Sequence, residues 1–346
     1  MTNETPFVNN PFEFNNTADL IKLEKINLRK RCNLIGFMVL LASVVFLVFS
    51  FMASFTFELI KALYPVSGVF NEASDSIPLN LLTGFINVVA VGVCGTLFIK
   101  LLKGDDKYPI ACEKVSFTKI LGLTAIGFTL CNLANFMTAL YLESAFSLGL
   151  DLNISSYNYD SNSVLEILIY VISVAVVPAF SEELLFRGVV LSGLRKYGDG
   201  LAIFVSSLLF GIFHGNFVQF PFAFIVGLVL SFTVVYTNSI LPAMLIHFSN
   251  NFFSVMCDVL STNTENWGFN GNLVDIAVYL FVIATAFVGI LSLILFSRKD
   301  KKFLKLREYD GILDKKVIKR TVFTSPALIA AFLFLLAETV ITHIAI

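Results

Sequence analysis

Two adjacent carboxylates and a guanidinium, Glu182, Glu183 and Arg187, interrupt an apolar stretch in SEELLFRG, residues 181–188. Glu183 and Arg187 are four residues apart, so on a helix they share a face and can pair, while Glu182 points about 100° away. The two carboxylates therefore have different work: Glu183 is the partner of Arg187, and Glu182, poorly solvated beside another negative charge, is the candidate base. Of the three histidines in the chain, two fall in the following apolar stretches, FGIFH ending at His214 and HFSNN beginning at His247. Phe210 and His214 are four apart, as are His247 and Asn251, which lets the phenyl ring pack on one imidazole and puts a second polar pair on one face. A hairpin centred near residue 198 leaves Glu182 and His214 equally far from the turn, so antiparallel packing brings them to one depth. Counted from its own turn at 237–240, His247 lies shallower, with Asn251 closer to the common level. Pro178 predicts a kink or a fresh helical turn just before the carboxylates. Glu338 and His343, near the end of the last apolar block, lack a partner motif and read as outer-interface groups.

The elements that must carry these side chains are apolar blocks of about 17 to 25 residues, the length that crosses a bilayer. Of the 346 residues 57% are hydrophobic and only 14% charged. The expected fold is all-α, a polytopic transmembrane helix bundle of about nine spans with an intramembrane active site. The spans are expected near 34–57, 80–102, 118–146, 164–195, 201–215, 220–237, 240–260, 274–297 and 324–344, the fifth being short. An ionisable residue inside a span costs roughly 2.5 to 3.5 kcal/mol, so it normally faces a partner in the bundle interior. About thirteen residues separate Glu182 from the basic Arg195-Lys196 helix end, or about 20 Å at α-helical rise, which sets the carboxylate well below the surface.

Lys and Arg divide by loop. The N-terminus, the 103–119 loop and the 298–320 loop are basic, whereas 149–163, 215–220 and 261–273 contain neither. The positive-inside rule then sets the N-terminus in the cytoplasm and the C-terminus outside. Domain organisation follows: a cytoplasmic tail at 1–33, accessory spans at 34–159, a catalytic core at 160–260, and C-terminal spans at 261–346 with the basic cytoplasmic loop 298–320. That loop spaces Phe303, Leu304, Leu306, Ile312, Leu313, Val317 and Ile318 among its charges, as either a solvated loop or a helix on the anionic leaflet would. The first apolar block begins too far in for a cleavable signal peptide. The net charge of −1 lacks the basic footprint of nucleic-acid binding. Five cysteines without C-x-x-C spacing read as apolar fillers.

Taken in order, EELLFR (Glu182, Glu183, Arg187), FGIFH (Phe210, His214) and HFSNN (His247, Asn251) resemble the motifs of the CPBP intramembrane proteases. That family includes the type II CAAX prenyl endopeptidases and the bacterial Abi and lysostaphin-resistance-like proteins. The resemblance covers about residues 160–260. It implies an endopeptidase of membrane-associated peptides or lipidated substrates in which Glu182, with His214, positions and deprotonates a water. His247 and Asn251 then donate to the oxyanion, and Glu183, Arg187 and Phe210 support them. This scheme needs no cofactor. The family's metalloprotease label keeps a second route open, with zinc held between helices by Glu182, His214 and His247. Two other classes also use such residues: a proton-coupled transporter, whose repeated halves the chain lacks, and a non-catalytic bacteriocin-immunity factor that grips a peptide. The expected partners are the lipid bilayer and a peptide or protein substrate, in the cell membrane of a bacterium.

Overall fold

The computed structural model describes residues 17–63, 85, 111–150, 152, 163–301 and 303–344. The expected span at 80–102 lies outside these residues, Phe85 excepted. In hydrocarbon every backbone N–H and C=O must be satisfied within the chain, and apolar blocks of this length do so as helices. They are α1 (Thr17–Leu63), α2 (Phe117–Ser147), α3 (Val164–Tyr197), α4 (Asp199–Phe213), α5 (Phe220–Thr237), α6 (Leu241–Asn263), α7 (Gly271–Lys299), α8 (Lys315–Phe323) and α9 (Pro326–Ile344). Among the described residues there is no strand, only an isolated antiparallel bridge between Cys112 and Ser239. Among the described residues six helices are long and apolar enough to cross a membrane, and α8 with α9, bent by 53°, counts as a seventh if the pair is one span. The chain is an integral membrane helix bundle. With 15 residues α4 is the short element that the hydropathy predicts. α1 begins at Thr17, well ahead of the apolar block at 34.

The basic segments meet at one end of the bundle. Lys196 pairs with Glu24 at 2.9 Å, and Arg195 donates from Nη1 to Asn238 Oδ1 at 2.9 Å. Asn238 in turn donates to Glu113 Oε1, 2.6 Å away. Asp199, buried at the start of α4, accepts from the Arg307 backbone N–H at 2.9 Å and donates its own N–H to the Arg307 carbonyl at 3.0 Å. The 298–320 segment is therefore folded onto the bundle, neither solvated throughout nor laid out as one interfacial helix. Phe303, Leu313 and Ile318 are buried against the protein, Leu304, Leu306 and Ile312 face outward, and beyond the end of α7 at Lys299 the only helix among its described residues is the start of Lys315–Phe323. Cys32 and Cys131 are buried fillers as expected, but Cys112 is exposed beside Ser239 at this same end, because its segment pairs through the backbone and leaves the side chain outside.

α3 carries the carboxylates and is not a uniform α-helix. Val171–Val176 and Leu184–Leu191 are π-helical, on either side of an α-helical Val177–Glu183. Pro178 stands at the first positions of that α-helical segment, the fresh helical turn expected just before the carboxylates. A π turn also holds more residues than an α turn, so counting 1.5 Å per residue overstates the depth of Glu182.

Candidate active site

α3 and α4 pack as an antiparallel pair. The Phe186 ring meets those of Phe210 and Phe213 edge-on at 5.2 Å each, and Ser206 Oγ donates to the Phe186 carbonyl at 2.8 Å. One turn back along α3 from Phe186 is Glu182, and one turn on along α4 from Phe210 is His214, so the two stand at a common level. α6 runs antiparallel to α3, with Tyr170 Oη donating to Asp258 Oδ2 at 3.1 Å and Val255 and Val259 buried against Val171 and Val174.

The pairing expected within SEELLFRG is present and larger than expected. Arg187 Nη1 donates to Glu183 Oε1 at 2.7 Å, with both side chains wholly buried. Its Nη2 donates to the Gly227 carbonyl on α5 at 3.1 Å, and its guanidinium carbon lies 4.5 Å from the Phe210 ring centroid. The same Glu183 oxygen accepts from His247 Nδ1 at 3.0 Å, which turns Nε2 towards Glu182, 4.0 Å from Oε2. His247 is therefore level with the carboxylates and not shallower, as the residue count suggested. The count assumed one rise for every helix, and α3 is compressed by its π turns.

The second imidazole is held differently. His214 Nδ1 lies 2.9 Å from the Phe210 carbonyl, the geometry of an Nδ1–H donor, which leaves Nε2 as an acceptor. The Phe210 ring packs edge-on against His214 at 4.9 Å and against His247 at 5.7 Å. Phe210 thus touches Arg187 and both imidazoles. Asn251 Nδ2 donates to the Val174 carbonyl at 3.1 Å, and its Oδ1 accepts from Asn250 Nδ2 at 3.2 Å. Val174 lies in the π-helical turn that runs into Pro178, a residue with no N–H, and the Asn251 amide gives its carbonyl a donor from α6. One amide hydrogen of Asn251 remains for another acceptor.

Glu182 Oε2, Glu183 Oε2 and Arg187 Nε are buried with no hydrogen-bond partner. Among the described residues no three His, Cys, Asp or Glu side chains are gathered closely enough to hold a metal ion. Zinc on Glu182, His214 and His247 would need these side chains drawn closer together. The carbonyls of Gly227 and Val174 were not anticipated. A Gly inside an apolar span and a Pro four residues after Val174 are their only sequence signals. At Gly227 an added Cβ would stand 3.0 Å from Cα and Cβ of Ser207, a close approach of α5 to α4 that a larger residue would crowd.

A model of the Rce1-like family, type II CAAX prenyl endopeptidase Rce1-like, matches residues 164–253. This segment runs from the start of α3 into α6 and contains Glu182, Glu183, Arg187, Phe210, His214, His247 and Asn251. The resemblance carried by the motifs is thus matched over the helices that hold them. No curated protein and no solved structure matches the chain.

Proposed function

We propose that the chain, similar over residues 164–253 to the type II CAAX prenyl endopeptidases, is an intramembrane endopeptidase that activates water with Glu182 and His214 and needs no resident metal. The observation that carries this reading is the unpartnered Glu182 Oε2 facing His247 Nε2 across 4.0 Å. A water within about 2.8 Å of both atoms would be hydrogen-bonded by each at roughly a right angle.

Glu182, with His214 Nε2 as a second acceptor, takes a proton from that water as its oxygen adds to the peptide carbonyl carbon. The resulting oxyanion accepts from the remaining Asn251 N–H, and from His247 when Nε2 carries a proton, with the Glu183 carboxylate facing Nδ1. The intermediate then collapses with rupture of the C–N bond, and the proton held by Glu182 passes to the leaving amine. Glu183, Arg187 and Phe210 keep the imidazoles oriented.

Zinc is the second reading. Both imidazoles use Nδ1 on an outer acceptor, as metal-ligating histidines often do, and a bound zinc would supply a Lewis acid. The metal-free route is preferred because the three side chains are not gathered for coordination. The substrates proposed are membrane-associated or lipidated peptides in a bacterial cell membrane. The cytoplasmic end is proposed to be the one where Lys196, Arg195 and Arg307 meet. Cleavage of a peptide panel by the purified chain in detergent, beside Glu182→Ala, tests the reading. Site-specific products from the wild type alone support it, and equal products from both chains end it.

A further inference from the structure

α9 is apolar from Pro326 to Ala337, and its one carboxylate, Glu338, follows twelve residues or about 18 Å from its start, ahead of Thr339, Thr342 and His343. Such a group inside a span normally faces a partner. Among the described residues, however, no cation pairs with Glu338 and no hydrogen bond reaches its carboxylate, Thr342 Oγ1 donating to its backbone carbonyl instead. Its side chain is half-buried and reaches the turn that leaves α4. Cδ, Cγ and Oε1 each stand 3.9 Å from the position a Cβ would take on Gly215, whose φ of +66° makes that turn directly after His214. The carboxylate therefore flanks the chain at the candidate site, although Glu338 lies far from the site motifs in sequence. The turns 215–220 and 261–273, at the other end of the helices from the basic end, contain no Lys or Arg to neutralise it. A half-buried carboxylate without a cation is stabilised when one is brought to it.

We propose that Glu338 is a substrate-recognition residue that receives a cationic group, a Lys or Arg side chain or a free amino terminus, of the peptide entering beside Gly215 and His214. The assignment rests on the peptidase reading and narrows its substrate class to basic peptides.

The test uses full-length chain in nanodiscs carrying Glu182→Gln, so that binding is read without turnover. Fluorescent peptides are compared that differ in one Lys exchanged for norleucine, and in a free or acetylated amino terminus. The peptide bearing the recognised cation is expected to bind about tenfold tighter, a ratio within reach of one partly desolvated ion pair. The exchange that removes the advantage identifies side chain or terminus. Glu338→Gln should erase the preference, Glu338→Asp should keep part of it, and Glu338→Lys should invert it towards acidic peptides. A purely structural role would weaken all peptides alike and lower the melting temperature. Absence of any charge preference, or a preference that survives Glu338→Gln, overturns the proposal. The same peptides offered to the chain with Glu182 intact test the peptidase reading separately: cleavage without charge preference sinks only the role of Glu338, and charge-selective binding without cleavage sinks only the peptidase reading.

Discussion

His247 Nδ1 lies 3.0 Å from Glu183 Oε1, the oxygen that Arg187 Nη1 also holds at 2.7 Å. A single carboxylate oxygen thus links α3 to α6 and ties the guanidinium in the bundle core to an imidazole of the candidate site. Glu183 is more than the salt-bridge partner of Arg187, because it sets which nitrogen of His247 faces Glu182.

Glu183→Gln should test this link. The amide keeps the shape but removes the anion, leaving the buried Arg187 without its counter-charge, a loss that typically costs about 3–5 kcal/mol. A clearly lowered melting temperature is expected, together with a fall in kcat and little change in KM, since His247 is misoriented while substrate contacts persist. Unchanged stability and rate would show that the linkage has no consequence.

Arg187→Lys should fail to replace arginine. Lysine can meet Glu183 but cannot also donate in plane to the Gly227 carbonyl and lie over Phe210 at 4.5 Å. Thermal unfolding of Arg187→Lys and Arg187→Ala should therefore give comparable destabilisation, and a lysine variant as stable as wild type would contradict the two-sided role.

Asn251 and Pro178 should be coupled. Asn251→Ala takes the side-chain donor from the part-buried Val174 carbonyl, a loss of about 1 kcal/mol. Pro178→Ala restores a backbone N–H that can serve it. In a double-mutant cycle read by unfolding, the two changes should be non-additive, with Pro178→Ala offsetting part of the cost of Asn251→Ala. Strict additivity would mean that the amide and the proline do not share this carbonyl.

Much of the site was legible because i and i+4 spacing has one geometric meaning on a helix. Glu183 with Arg187, and Phe210 with His214, meet as their spacing requires. The antiparallel pairing of α3 and α4 was legible for a related reason, since a short turn leaves two helices few alternatives. What escaped depends on features without a periodic signal. The π-helical turns of α3 shift both depth and facing, so that His247 meets Glu183 and faces Glu182 across 4.0 Å. Backbone acceptors such as Gly227 and Val174 carry no side-chain signature. Glu338 reaches Gly215 only through tertiary packing of α9, a neighbour that its place in the sequence does not show. The burial of Phe303, Leu313 and Ile318 likewise depends on which surface the loop folds over.

The shared basic end yields a topological prediction. Cys112 is exposed there, and Arg307, near Asp310, joins Asp199. In a background lacking the other four cysteines, Cys112 and a cysteine introduced at Asp310 should label from the same, cytoplasmic, side. Labelling from opposite sides would break the arrangement.

The central claim is that Glu182 activates the water, and the single-turnover rate of Glu182→Gln in a folded preparation tests it most directly. The amide keeps the size of the side chain and cannot take the proton, so cleavage of a peptide that the wild type cuts should slow by about 10²- to 10⁴-fold, with the melting temperature unchanged. A Glu182→Gln chain that cuts the peptide at the wild-type rate would contradict the account.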